Sequence, residues 1–128
     1  LIDPGAGSIV HIAGSVVAGD LQGALAARGF PVDRRVLYTM TARASLSPEV
    51  ITQITHAWLE TVLVYSPRSG RLLVDLINKD GLQEACQVMT CYCRSANVAA
   101  AVAPLPFANC VVAATPDEAA LMALLDID

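Results

Sequence analysis

The sequence predicts an α/β fold, a parallel sheet built from three-layer β/α units. Two observations support this prediction. Short runs of strand-forming residues alternate with segments of helical periodicity along the chain of 128 residues. The runs are almost continuously apolar, as in strands covered on both faces, and hydrophobic residues make up 55% of the chain. Strict alternation of this kind is typical of a parallel sheet flanked by helices.

Two strand patterns and one helix pattern occupy the first third of the chain. Residues 8–13 predict a strand, and residues 19–28 carry apolar side chains at helical spacing before Gly29 ends the helix. Residues 35–41 predict the second strand, whose extended pattern continues to residue 44. No flexible linker or charge run divides the chain, so this long strand is where we expect a change of domain.

Three later helices are predicted to begin with the same device, a hydroxyl residue followed by proline. Ser47, Ser66 and Thr115 each precede a proline, and these residue types are preferred at the N-cap and at the first helical position. At Thr115, the glutamate Glu118 completes a predicted capping box. The intervening strands are predicted at residues 61–65, 87–92 and 110–114, with a further helix at residues 95–102. From residue 45 onward we expect a doubly wound sheet.

Composition and charge exclude several classes of protein. Charged residues make up 16% of the chain and the net charge is −4, so no basic face is available for a nucleic-acid backbone. The longest apolar stretch, residues 98–107, contains Pro104 and Pro106 and is shorter than the ~20 residues of a membrane-spanning helix. We therefore expect a cytoplasmic protein with no nucleic-acid or membrane partner.

The four cysteines are predicted to be reduced core residues. Cys91 and Cys93 are two apart and share one face of a strand, where free cysteine behaves as a small hydrophobic residue. A structural zinc site needs paired Cys or His donors at loop-like spacings, and His11 and His56 are isolated in the sequence. The sequence therefore predicts neither a metal site nor a cofactor.

The candidate binding residues lie in turns that lead from a strand into a helix. Ligands of parallel sheets bind at such turns, because backbone N–H groups and the positive end of the helix dipole converge there. Neither a dinucleotide fingerprint nor a phosphate-binding loop is present. Three turns supply the candidates, which are Gly14, Ser15, Ser66, Arg68, Ser69, Ser95 and Asn97.

Each candidate also has a purely structural interpretation. Ser66 and Ser95 are good N-caps, and glycine in a βα turn is more often structural than functional. Arg68 is harder to explain, because a cation in the first turn opposes the helix dipole and favours a compensating anion. Tyrosine is common in strands, so Tyr38 can be explained as a half-buried strand residue. No Ser-His-Asp set, Cys-His pair or paired carboxylates can be assembled.

Several segments resemble the uroporphyrinogen-III synthase family. Residues 8–20 and 26–30, followed by residues 36–39, are similar to the stretch that leads into a characteristic tyrosine of that family, and Tyr38 falls on that tyrosine. Residues 62–70 resemble its apolar strand ending in Ser-Pro, and residues 115–121 resemble its terminal helix. The segments occur in the family's order over almost the whole chain.

The resemblance implies an architecture of two α/β domains joined by a two-stranded connection, with the substrate bound between the domains. Residues 1–36 would then end one domain, residues 37–44 would form the return strand, and residues 45–128 would form the terminal domain without its first strand. On this interpretation the chain corresponds to the later half of the enzyme. We expect it to be incomplete by itself and to pair with the N-terminal half or with another copy.

The resemblance also implies an activity, the cyclisation of hydroxymethylbilane to uroporphyrinogen III with inversion of the last ring and loss of water. Tyr38 would be catalytic, the turn residues would bind the substrate, and no cofactor or metal is implied. Three positions depart from the family pattern, since Ser95-Ala96 replaces a Gly-Pro pair and Val98 replaces a threonine. A catalytically silent synthase-like protein and a flavodoxin-like interaction module remain as alternatives.

Overall fold

The computed structural model describes residues 9–14, 19–38 and 41–125, with backbone only at residues 9–14, 37 and 38. The chain divides into two compact units, Leu1–Ala42 and Arg43–Asp128. The described strands form two separate parallel sheets, one in each unit. The α/β class and the parallel pairing predicted from the sequence are thereby confirmed. The domain roles predicted for residues 1–36, 37–44 and 45–128 stay predictions.

The first unit contains a two-stranded sheet and one short helix. Strand β1 (Ile9–Gly14) pairs in parallel with strand β2 (Val32–Tyr38), and helix α1 (Leu21–Ala26) lies between them in the chain. Residues 41–44 are not in a strand, so the long strand predicted over residues 35–44 is wrong in its bounds. The strand begins earlier and ends by Tyr38 in the described chain, because its pairing partner β1 ends at Gly14.

The second unit is a three-stranded parallel sheet with helices in the connections. Its strands run in the order β3-β4-β5 and its helices are α2 to α5. Their bounds are β3 Thr61–Val64, β4 Thr90–Cys93, β5 Asn109–Val112, α2 Pro48–Thr55, α3 Pro67–Lys79, α4 Ala96–Val102 and α5 Glu118–Ala123. The order is sequential among the described strands and lacks the reversal of a doubly wound sheet, so that expectation is not met.

Two clusters of buried side chains form the core of the second unit. One cluster joins the sheet to α4 through Val64, Cys91, Cys93, Val98 and Val102. The other joins α2 to α3 and to a 3₁₀ helix at Glu84–Val88; its buried members are Ile54, Val74, Ile77, Cys86 and Leu105. The 3₁₀ helix was not predicted, and it delays the start of β4 from the predicted residue 87 to Thr90.

Helices α3 and α4 pack closely because α3 carries glycine at the contact. A Cβ atom at Gly70 would lie 3.1 Å from the Cβ of Ala101 and 3.1 Å from the Cγ1 of Val102. Both helices connect neighbouring strands of one sheet, so their first turns lie beside each other at its carboxyl edge. In the described part of the chain, no helix combines the length and apolar character needed to cross a bilayer.

Candidate binding edge of the second sheet

The register of the second sheet brings two of the predicted turns to one edge. Val64 at the end of β3 pairs with Cys93 at the end of β4, and each is followed two residues later by an N-cap, Ser66 and Ser95. The amide of Arg94 donates to the carbonyl of Val64 across the turn at 3.1 Å. The first turns of α3 and α4 are therefore neighbours.

The first turn of α3 is held by its own serine hydroxyls. The Oγ of Ser66 accepts from the amide of Ser69 at 3.1 Å and donates to the Oγ of Ser69 at 3.0 Å. The predicted cap is confirmed by this geometry. The hydroxyl of Ser69 accepts this bond and donates none within the described residues. Ser69 is exposed, so its hydroxyl hydrogen is available to a ligand.

The charge at the start of α3 is unbalanced. Helices α2 and α5 each carry a glutamate in the first turn, Glu49 and Glu118, whereas α3 and α4 carry no acidic residue there. Arg68 is half-buried in the first turn of α3 and forms no ion pair within the described chain. Among the described residues, no anion thus accompanies the positive end of the helix dipole and the guanidinium.

Helix α4 adds polar groups on its side of the same edge. The Oγ of Ser95 accepts from the amide of Val98 at 3.4 Å, which confirms the predicted cap. Asn97 is exposed in the first turn. Val98, at the position where the resemblance expects a threonine, is 1% exposed and packs in the core, so the polar groups of this turn are those of Ser95 and Asn97.

A groove of about 460 Å³ runs between the two helices. Pro67 and Arg71 line it from α3, and Asn97, Ala100 and Ala101 line it from α4. Arg71 was not among the candidates predicted from the sequence. Its spacing was the signal that could have identified it, because a residue four positions after Pro67 lies on the same helix face one turn later.

The first sheet brings together two other candidates. Gly14, the last residue of β1, is the register partner of Tyr38, the last residue of β2. The register shifts between Ala13 and Gly14, so that Ala13 pairs with Val36 and Leu37 is passed over. Irregularities of this kind are enriched next to active sites. Ser15 lies outside the described residues. The roles of Gly14, Ser15 and Tyr38 stay predictions.

The helix start at Thr115 differs from its prediction. The N-cap of α5 is Asp117, whose Oδ1 accepts from the amide of Ala120 at 2.7 Å. Thr115 instead donates its hydroxyl to the Oδ2 of Asp117. These two hydrogen bonds stabilise the carboxylate, and together with Arg94 they lower the pKa of Asp117. A carboxylate outcompetes a hydroxyl as the cap here, so the predicted capping box is wrong.

Comparison with known proteins supports the family resemblance that the sequence motifs indicate. The family model described as Uroporphyrinogen-III synthase HemD matches residues 2–123. The resemblance seen in the sequence is therefore confirmed. A search of curated proteins found no significant match.

Proposed function

The chain belongs to the uroporphyrinogen-III synthase family, and on that premise we propose that it binds hydroxymethylbilane and closes it to uroporphyrinogen III. The linear tetrapyrrole bears eight carboxylates. The last ring is inverted as the macrocycle closes, and the hydroxyl of the hydroxymethyl group leaves as water. The family places this function in tetrapyrrole biosynthesis.

The observation that best supports the proposal is the first turn of α3. It combines the Ser69 hydroxyl, which can still donate a hydrogen bond, with the half-buried Arg68 and a helix N-terminus without an acidic residue in its first turn. Such a turn favours a bound carboxylate, which would complete the hydrogen bonds and balance the charge. Ser95, Asn97 and Arg71 extend the same surface, so more than one carboxylate of the substrate can be held there.

Binding through local donors accounts for a polyanionic substrate on an acidic protein. The net charge is −4, which repels an anion at long range only weakly at physiological ionic strength. Backbone N–H groups and hydroxyls at a helix start act at short range and need no net positive charge. Positioning is the principal requirement of the reaction, because an oriented intramolecular ring closure has a large effective molarity.

In this proposal Tyr38 assists the departure of the hydroxyl group. Its phenol donates a hydrogen bond or proton to the leaving oxygen, so that water and a reactive azafulvene are formed. The azafulvene carbon then bonds to the substituted α-carbon of the last ring, and the bond between that α-carbon and its neighbouring methylene bridge breaks. The released methylene bonds to the unsubstituted α-carbon of the same ring, which loses its proton, so the last ring is inverted. Gly14, the register partner of Tyr38, would allow backbone to approach the substrate closely.

The proposal is tested by incubating the chain with hydroxymethylbilane, alone and mixed with the N-terminal half of a family member, and separating the product isomers by chromatography. We expect uroporphyrinogen III above the spontaneous background in the mixture. The Tyr38→Phe variant should form it more slowly while keeping the same circular dichroism spectrum. The non-inverted isomer alone in both incubations would contradict the proposed reaction.

A further inference from the structure

Three cysteines of the second sheet form a cluster that the proposed reaction does not use. Cys91 on β4 is the register partner of Cys110 on β5, and Cys93 lies two residues further along β4 on the same face. The Sγ of Cys93 lies 3.7 Å from that of Cys91 and 3.5 Å from that of Cys110. All three sulfurs lie within 4.8 Å of one another, and all three are free thiols.

The spacing of these sulfurs matches that around a bound metal ion. Metal–sulfur bonds of about 2.3 Å in a trigonal site with three ligands separate the sulfurs by about 4.0 Å. Two of the observed separations, 3.5 and 3.7 Å, are a few tenths of an ångström shorter than this, and the third is no longer than 4.8 Å. Rotation of the cysteine side chains can supply differences of this size. We propose that Cys91, Cys93 and Cys110 bind one Cu(I) ion.

The donor set favours Cu(I) over the other thiophilic ions. The cluster offers sulfur alone, without a histidine or carboxylate, among the residues that the structure describes. Soft thiolate sulfur selects Cu(I) or zinc, and structural zinc sites take four protein ligands. Three sulfurs satisfy Cu(I), whereas a structural zinc site would need a fourth protein ligand that this cluster does not supply.

Burial keeps two thiols of the cluster protonated when no metal is bound. Cys91 and Cys93 are 0% exposed and pack with Val98 and Val102. Burial raises the pKa of Cys91 to about 11 and also raises the pKa of Cys93, so both stay protonated at neutral pH. Each thiol that ligates as a thiolate releases its proton to solvent. Cys110 is exposed and provides the entry route.

The test uses the reduced chain under anaerobic conditions, titrated with Cu(I) against a chromophoric Cu(I) chelator. We expect one Cu(I) per chain, with X-ray absorption showing a shell of sulfur neighbours only. Cys110→Ser, at an exposed position, should weaken Cu(I) binding by more than about tenfold. Removing a residue that only supports a metal ligand already costs about tenfold, and Cys110 is proposed to be a ligand itself. Cys93→Ala should do the same, with circular dichroism to check folding.

The matched control is Cys86→Ala. Cys86 is 1% exposed and belongs to the other core cluster, so this variant removes a buried thiol without touching the site and should keep full affinity. The assignment is overturned if less than one equivalent of copper is retained, or if Cys110→Ser binds as tightly as the parent chain. It is also overturned if zinc, titrated in the same way, binds more tightly with a mixed sulfur and oxygen shell.

Discussion

Single residues at helix ends decide how two turns of the second unit are built. Helices α2 and α3 end in the same motif, in which the amide two positions beyond the C-cap reaches back to the last turn. Trp58 donates to the carbonyl of Gln53 at 2.9 Å, and Leu82 donates to that of Ile77 at 3.0 Å. The residue between cap and donor has positive φ in both, 55° at Ala57 and 65° at Gly81.

The two positions predict opposite effects of exchanging alanine and glycine. Left-handed backbone costs an L-residue about 1–2 kcal/mol, partly offset by the greater unfolded-state entropy of glycine. Ala57→Gly should therefore raise the free energy of unfolding by about 0.5–1 kcal/mol, and Gly81→Ala should lower it by a similar amount. No atom lies within 4 Å of a Cβ at Gly81, so the change there measures strain alone. Urea denaturation checks both, and equal signs would refute the explanation.

Ser66 and Ser47 allow the binding role of a cap to be separated from its structural role. Both precede proline and cap a helix, so replacing either with alanine should cost about 1 kcal/mol of stability. Only Ser66 also positions the hydroxyl of Ser69. Ser66→Ala should weaken binding of a non-cyclising hydroxymethylbilane analogue by about tenfold, since a hydrogen bond to a charged group contributes about 1.5–3 kcal/mol.

Ser47→Ala should leave that affinity unchanged in isothermal titration calorimetry. The comparison removes loss of folding as an explanation, because the two variants are destabilised alike. Equal affinity losses in both variants would show that the α3 cap acts only through stability.

At the scale of elements, the contact between α3 and α4 depends on the missing side chain of Gly70. A Cβ there would lie 3.1 Å from both Ala101 and Val102, so the further methyl groups of valine cannot fit without separating the helices. Gly70→Val should lower the free energy of unfolding by about 1–3 kcal/mol. Asn78→Val, at an exposed position of the same helix, is the control and should change it little. If Gly70→Val left the free energy of unfolding unchanged, the helices would not be closely packed.

Helix α5 should loosen in acid through its cap. The pKa of Asp117 is lowered by the Thr115 hydroxyl and by the amide of Ala120, so the charged form is favoured by folding. Its stabilisation is complete above the unfolded pKa and is lost as pH falls through the folded value, below about pH 4. Hydrogen exchange at the amide of Ala120, followed between about pH 2 and pH 7, measures the loss of this stabilisation. Asp117→Asn, which caps without titrating, should abolish the pH dependence specific to this cap.

The elements differ in how far the sequence could predict them. The N-caps at Ser47, Ser66 and Ser95 follow from local preference, and the structure confirms them. At α5 the sequence predicted Thr115 as the cap, but aspartate is preferred over threonine at an N-cap, and Asp117 forms the cap two residues later. The strand bounds shifted wherever pairing decided them, as at β2, because a strand extends only as far as its partner.

The candidate site was predictable where it depends on turns and unpredictable where it depends on register. Ser66, Arg68 and Ser69 share one helix turn, so their proximity follows from the sequence. The cysteine cluster does not, because Cys110 meets Cys91 only through the pairing of β4 with β5. The spacing of Cys and His along the sequence predicts no metal site, but this spacing cannot reveal donors that parallel strands bring together.

At the scale of the whole molecule, the second unit gathers the groups proposed to bind anions at one edge of its sheet. Parallel strands all end at that edge, and each is followed by a helix whose positive end lies there. The glutamates in the first turns lie on α2 and α5, while α3 and α4 have none. The central claim is that carboxylates of a linear tetrapyrrole occupy this edge.

The most direct test is the affinity of the chain for the non-cyclising octacarboxylate analogue, measured by calorimetry for Arg71→Gln and Lys79→Gln. Both variants remove one positive charge from α3, but Lys79 lies about 12 Å further along the helix at about 1.5 Å per residue. Arg71 lines the groove, whereas the ammonium group of Lys79 donates a hydrogen bond to the carbonyl of Ala44. The claim predicts about tenfold weaker binding for Arg71→Gln and parent-like binding for Lys79→Gln. Equal affinities for the two variants would contradict it.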